Sequence, residues 1–209
     1  MGDFKHIRVS TKDGRADVVL NRLPYNILNI EMMNEMIDCF RELAIDTSLR
    51  VVVISSLGKA FSSGVDVTEH VGDTALEMLN VFNNLFNALW DVRAVTIAAV
   101  DGLALGGGCE LAVGCDILLA SSKAKLGQPE ISVGVIPPMA VAVFPMLIGR
   151  NRAIAWLLSG RIYSAEEAHA AGLVNHVLPE DSFEDDVTEY CSHFLNKSAA
   201  VIALGKRAI

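Results

Sequence analysis

Apolar positions along this chain change their spacing from one stretch to the next, and the spacing predicts the elements. Residues 16–20, 51–55, 95–100 and 116–120 are short apolar runs rich in β-branched side chains, each bounded by Gly, Asn, Asp or Ser, and they predict strands. Between them Met33, Met36, Ile37, Phe40 and Leu43 recur at intervals of three and four after a cap candidate at Asn29. Leu79, Phe82, Leu85, Phe86 and Leu89 repeat that helical spacing. Both stripes read as core faces of amphipathic helices. Further on, Ser164 and Glu167 have the spacing of a capping box, with Gly172 as the stop. Strand and helix alternate over the first 120 residues and the last third is mainly helical, which predicts an α/β layered fold in one domain. No internal repeat, linker or low-complexity segment is legible.

One stretch could pass for a membrane span. Residues 131–149 carry no formal charge over 19 positions, but Pro137, Pro138 and Pro145 interrupt them, so the expectation is a loop followed by a buried helix. Residues 1–10 hold Asp3, Lys5, His6 and Arg8 and lack the apolar run of a signal peptide, which points to a cytoplasmic protein. Composition narrows this further. A length of 209 residues, 52% hydrophobic, suffices for one sizeable core, and a net charge of −8 disfavours a nucleic-acid partner. Cys39, Cys109, Cys115 and Cys191 form no CxxC pair and read as reduced, structural thiols. His6, His70, His169, His176 and His193 show no metal-ligand spacing, so no metal site is expected. His70 is a candidate for the wall of a pocket. Lys206 and Arg207 read as a solvated, charged end.

The segment with most chemical information runs strand, turn, glycines, helix over residues 96–110 and contains Gly106, Gly107 and Gly108. Three glycines at a helix start let backbone N–H groups approach a ligand oxygen without interference from a Cβ. The spacing fits neither GxGxxG nor the phosphate-binding GxxxxGK[ST] loop, and GxSxG is absent. A second donor candidate lies in residues 60–66, Ala-Phe-Ser-Ser-Gly-Val-Asp, directly after a predicted strand. Two such N–H groups converging on a carbonyl would stabilise an oxyanion, at about 3 to 4 kcal/mol of barrier height per donor. Glu110 follows the glycines, and Glu130 sits twenty residues later in apolar surroundings. A pair of buried carboxyls suits acid and base roles, because burial raises their pKa values and mutual repulsion separates the two titrations.

These residues resemble the signature of the crotonase (enoyl-CoA hydratase/isomerase) superfamily. The likeness rests on Ala104 to Ala112, Cys115-Asp116-Ile117 and Gly127-Gln128-Pro129-Glu130, with the family's separation of the two glutamates. Leu20-Asn21-Arg22 with Asn26-Ile27-Leu28-Asn29, the 60–66 segment and residues 165–177 extend it over nearly the whole chain. The resemblance implies a crotonase-like spiral of ββα units over about residues 1–175. Residues 176–209 would then open a C-terminal helical region that family members usually continue further. It also implies a homotrimer or dimer of trimers, an acyl-CoA substrate, and no cofactor beyond the coenzyme A of that substrate. By position, the backbone N–H groups of Val65 and Gly107 would hold the thioester oxygen, and Glu110 and Glu130 would act on a water added across the conjugated C=C bond. Ala60, Ser62, Gly64, Asp66, Val67, Gly106, Pro129 and Pro137 would line the substrate site. Retention of both glutamates favours a hydratase over the superfamily's isomerases and thioester hydrolases, with a non-catalytic acyl-CoA-binding member that keeps the site as a further alternative.

The chain departs from the family where common hydratases have a glycine-rich turn after the second glutamate. It reads Val135-Ile136-Pro137-Pro138 there. Together with Gly64-Val65-Asp66-Val67 and His70, this is similar to hydratases of a cyclic dienoyl-CoA, cyclohexa-1,5-diene-1-carbonyl-CoA.

Overall fold

The computed structural model describes residues 4–72 and 74–209; Asp3 therefore lies outside the described residues. The chain begins with a hairpin of β1 (Ile7–Lys12) and β2 (Arg15–Leu20), then α1 (Ile30–Ile45). Three turns of one pattern follow. β3 (Val51–Ser56), β4 (Ala60–Ser62) and α2 (Thr74–Trp90) form the first, β5 (Val95–Val100), β6 (Leu103–Leu105) and α3 (Gly107–Val113) the second. β7 (Ile117–Ser121), β8 (Lys125–Gly127) and α4 (Pro138–Ile148) form the third. The chain ends with α5 (Arg150–Ser159), β9 (Ile162–Ser164), α6 (Ala165–Ala171), β10 (His176–Leu178), α7 (Phe183–Leu195) and α8 (Ala199–Ala208).

The longer strand of each unit enters a six-stranded sheet of order β1-β2-β3-β5-β7-β10, parallel except for the first hairpin. The shorter strand enters a second sheet of order β4-β6-β8-β9. The chain thus repeats a ββα unit and winds into a spiral, although no repeat was legible in the sequence. The cause is the second strand of each unit: three residues are too few for an alternation to show.

The large core lies on one face of the six-stranded sheet, where Val52, Ile54, Ala98, Val100 and Leu118 meet the apolar faces of α1 and α2. A smaller cluster covers the opposite face, with Val51, Val53, Ile97, Ala99 and Leu119 against Phe183, Val187 and Cys191 of α7. Asn29 caps α1 as expected, its side chain accepting from Met32 N–H, and the Ser164–Glu167 capping box is formed in both directions. Lys206 corrects the expectation of a solvated end. Its ammonium donates to Asp116 Oδ2 at 2.6 Å and to the Ala94 carbonyl at 3.0 Å, and Asp116 also accepts from Thr96, so one carboxylate ties β5, β7 and α8 together.

Two further expectations are revised. In the second stripe Leu79 is largely exposed, and Met78 takes the buried place beside Phe82. The uncharged stretch at 131–149 does contain a helix, but α4 buries only Ala140, Phe144 and Ile148 and exposes Val141, Met146 and Leu147. Pro145 sits inside that helix without ending it; the carbonyl it leaves unpaired, four residues back, belongs to solvent-exposed Val141. Among the described residues, no helix is long and apolar enough to cross a membrane.

Candidate active site

A cavity of about 660 Å³ opens between α2, the short turn Val67–Glu69 and the segment 129–138, with α3 at its base. Met78, Leu79 and Phe82 come from α2, Val67, His70 and Val71 from the turn, and Val133, Val135, Ile136, Pro137 and Pro138 from the opposite wall. Among the described residues, Glu110 and Glu130 are the carboxylates that line it.

Two glycine-bearing segments meet at its base. Leu28 N–H donates to the Gly64 carbonyl and Asp66 N–H donates to the Leu28 carbonyl, both at 2.8 Å, so the 64–66 segment is pinned like a strand on one side. The alternation of an extended backbone turns the Val65 N–H the other way. Gly106, at φ 53° and ψ −129°, makes a bend that an L side chain cannot adopt cheaply, and α3 starts at Gly107. The two segments touch: a Cβ at Gly64 would stand 3.8 Å from the Gly107 nitrogen, and one at Gly107 would strike Val65 Cγ2 at 2.5 Å. Among the described residues, neither the Val65 nor the Gly107 N–H has an acceptor. Both residues line the cavity.

Glu110 projects from the first turn of α3 and is almost wholly buried. Its Oε1 accepts from the backbone N–H groups of Met139 and Ala140, each at 2.8 Å, at the start of α4. Burial pushes its carboxyl up to about 7, helped by the charge of Glu130 and opposed by the two N–H donors. Glu130, half-buried in the turn Pro129–Val133, lies against Gly106, where a Cβ would come within 2.5 Å of Glu130 Oε1. Burial raises its pKa as well. Glu110, titrating near neutrality, can take a proton at pH 7 and return it, which a carboxylate at its ordinary value does poorly.

Of the positions singled out in the sequence, Glu110, Glu130, Gly107, Val65, Gly64, Val67, Gly106, Pro129 and Pro137 all line the cavity, and so does His70. Ala60, Ser62 and Asp66 do not. Ala60 is fully buried in β4, where its carbonyl accepts from Asn26. Ser62 packs against Gly108 and its hydroxyl accepts from Gly64 N–H. Asp66 caps the turn through Thr68 and pairs with Arg22. The three hold the donor segment in place from behind. The sequence reading overlooked Gln128, which is fully buried and, with its amide turned to satisfy both ends, donates to both oxygens of Glu130 at 3.1 Å. The available signal was its place two residues before Glu130 in the Gly127-Gln128-Pro129-Glu130 motif, since a buried amide side chain must have a polar partner.

Residues 10–209 match a protein-family model described as enoyl-CoA hydratase/isomerase. A probable enoyl-CoA hydratase of Mycobacterium tuberculosis is 37% identical over 205 residues, covering 95% of this chain and 79% of its own. A short-chain-enoyl-CoA hydratase of Clostridium acetobutylicum is 32% identical over 205 residues, covering 95% and 78%. Among solved structures, an enoyl-CoA hydratase subunit of Geobacillus kaustophilus superimposes with a TM-score of 0.92 at 33% identity, over 99% of this chain and 82% of that one. DspI of Pseudomonas aeruginosa does so with a TM-score of 0.94 at 29% identity, over 99% and 80%.

Proposed function

The chain belongs to the enoyl-CoA hydratase/isomerase family, and on that premise we propose that it adds water across the C=C bond of a 2-enoyl-CoA thioester held in the cavity above α3. The observation that carries the reading is the pairing of two carboxyls of raised pKa in one apolar cavity beside two unengaged backbone donors. The thioester oxygen accepts from Val65 N–H and Gly107 N–H, which draws electron density away from Cβ. A water sits between the two carboxyls. Glu110, as carboxylate, takes one of its protons while the water oxygen bonds to Cβ. The π electrons of the C=C bond move toward Cα and the thioester, forming an enolate whose oxyanion the two N–H groups stabilise by about 3 to 4 kcal/mol each. The pair enters with one proton shared between its two carboxyls; in the reactive form that proton is on Glu130, which gives it to Cα. Exchange with solvent returns the proton from Glu110 to Glu130 and resets the pair.

For the acyl group we propose a ring ester, cyclohexa-1,5-diene-1-carbonyl-CoA, ahead of a short linear chain. Support comes from the two adjacent prolines, which stiffen one wall of a largely apolar cavity, and from the cavity's volume. In the assembled enzyme a homotrimer or a dimer of trimers is the proposed state.

The test incubates the protein with crotonyl-CoA and, separately, with the ring ester, following a gain of one water by mass spectrometry. Glu110→Gln and Glu130→Gln should each slow hydration by about 10²- to 10⁴-fold. Hydration at the wild-type rate in both variants would remove the two-carboxyl mechanism, and a double-bond shift or free coenzyme A without added water would move the reading to an isomerase or a hydrolase.

A further inference from the structure

We infer that Pro138 is a positioning residue for Glu110: it fixes the first turn of α4 as an anchor for one oxygen of that carboxylate and leaves the other oxygen free to act. The inference rests on the hydratase reading for its kinetic consequence and on hydrogen-bond geometry for its substance.

An α-helix begins with N–H groups that have no partner inside the helix. In α4 each of them is accounted for. Pro137, at the cap position, has no side chain able to accept, and Pro138, the first helical residue, has no N–H. The Met139 and Ala140 N–H groups, which a capping side chain ordinarily receives, both donate to Glu110 Oε1. The Val141 N–H donates to the Pro137 carbonyl at 3.1 Å. Glu110 is therefore the cap of α4, supplied from α3.

The two oxygens of Glu110 consequently differ. Oε1 is held by two donors at the positive end of a helix dipole, whereas Oε2 has no hydrogen-bond partner among the described residues. Oε2 is the atom left to receive the proton of water. The anchor also favours the ionised carboxylate, against the burial that disfavours it, so its firmness tunes the base. Firmness comes from Pro138, whose ring locks φ near the helical value before the turn forms. A glycine there would have to be ordered from a much wider range. Among the described residues, the other titratable side chains lining the cavity are Glu130 and His70, and Cys109 stands beside Glu110 on α3 with its thiol pushed up by burial. Substitution at Pro138 leaves all three in place.

The experiment compares wild type with Pro138→Gly, Pro138→Ala and Met146→Gly, the last weakening α4 at an exposed position away from its start. Glu110 is titrated in the substrate-free protein by infrared spectroscopy of ¹³C-labelled glutamate, assigned by difference from Glu110→Gln, and kcat for crotonyl-CoA is followed against pH. In Pro138→Gly the Glu110 titration and the acid limb of kcat should rise together by about half to one pH unit, with kcat at pH 6 down about three- to tenfold. Pro138→Ala should shift less. Met146→Gly should lower the melting temperature and move neither titration nor limb. An unmoved titration in Pro138→Gly, or an equal shift in Met146→Gly, would overturn the inference. If the wild type hydrates neither ester, the hydratase reading fails, while the infrared titration still decides the anchor.

Discussion

The two walls of the cavity are made by opposite means. The wall formed by β6 and α3 belongs to the core: residues 106–113 are all buried, and the glycines among them are demanded by their neighbours. A Cβ on Gly108 would lie 2.3 Å from the Ser62 carbonyl oxygen, a backbone atom of β4 that cannot step aside. The wall formed by residues 131–148 is outside the core, with Val133 75% and Ile136 63% exposed, and its glycine, Gly134, has nothing within 4 Å of an added Cβ. Packing therefore fixes the first wall. Restricted backbone and a few hydrogen bonds fix the second, and the two are joined where Glu110 of one caps the helix of the other.

The comparison is most directly broken at Gly108. Gly108→Ala should cost about 3 kcal/mol or more, seen as a lower denaturant midpoint or as loss of soluble protein, because the added methyl meets backbone on an already close-packed face. An unchanged midpoint would mean that packing does not set this wall.

Glu110 gives the next effect, and its sign follows from linkage. Burial, chiefly, raises its carboxyl from an ordinary value of 4.5 to about 7, so between those values the native state binds more protons than the unfolded state. Stability must then fall as pH rises through that window, by about 3 kcal/mol in full. Glu110→Gln removes the burden while keeping an oxygen for Met139 and Ala140. It should be more stable than wild type by about 3 kcal/mol at pH 8 and equal to it near pH 4, in urea titrations at both values. The buried carboxyl is thus a liability to the fold.

Gln128→Leu tests the support of Glu130, the half-buried carboxyl next to the open wall. Removing its amide takes a donor from Glu130, so the Glu130 titration should move further up and kcat should fall about tenfold at most, since a half-buried carboxylate can partly replace the donor with water. A pH–rate profile identical to wild type would place Gln128 outside the working site.

How far the sequence foretold each wall follows the same division. The core wall was legible because packing writes itself into periodicity: the runs at 51–55 and 95–100, the α1 stripe with its Asn29 cap and the glycines before Glu110 all stand where they were expected. The three-residue strands were illegible, and with them the spiral repeat, because so short an element is defined by its neighbours rather than by its own pattern. Leu79 was misread as core for a related reason. Helical spacing marks a stripe, but it does not say which edge of the stripe borders a cavity. The bond from Glu110 to the start of α4, across 29 residues of sequence, has no local signature; only the two prolines hinted that this helix would need a cap from elsewhere.

The smallest expected effect comes from Gly134, on the open wall. It ends the turn that carries Glu130 with φ at 76°, and its N–H donates to the Ile131 carbonyl at 3.2 Å. Alanine meets no atom there and retains the N–H, so the only cost is that of placing an L residue in the left-handed region, about 1 kcal/mol. In a protein of this length that corresponds to a melting temperature lower by about 2 to 4 °C, measured by calorimetry. Glu130 should keep its place, because Val135 N–H still donates to the Glu130 carbonyl, and kcat should stay within about twofold of wild type. A cost comparable to that of Gly108→Ala would show that close packing governs both walls and that the contrast between them is false.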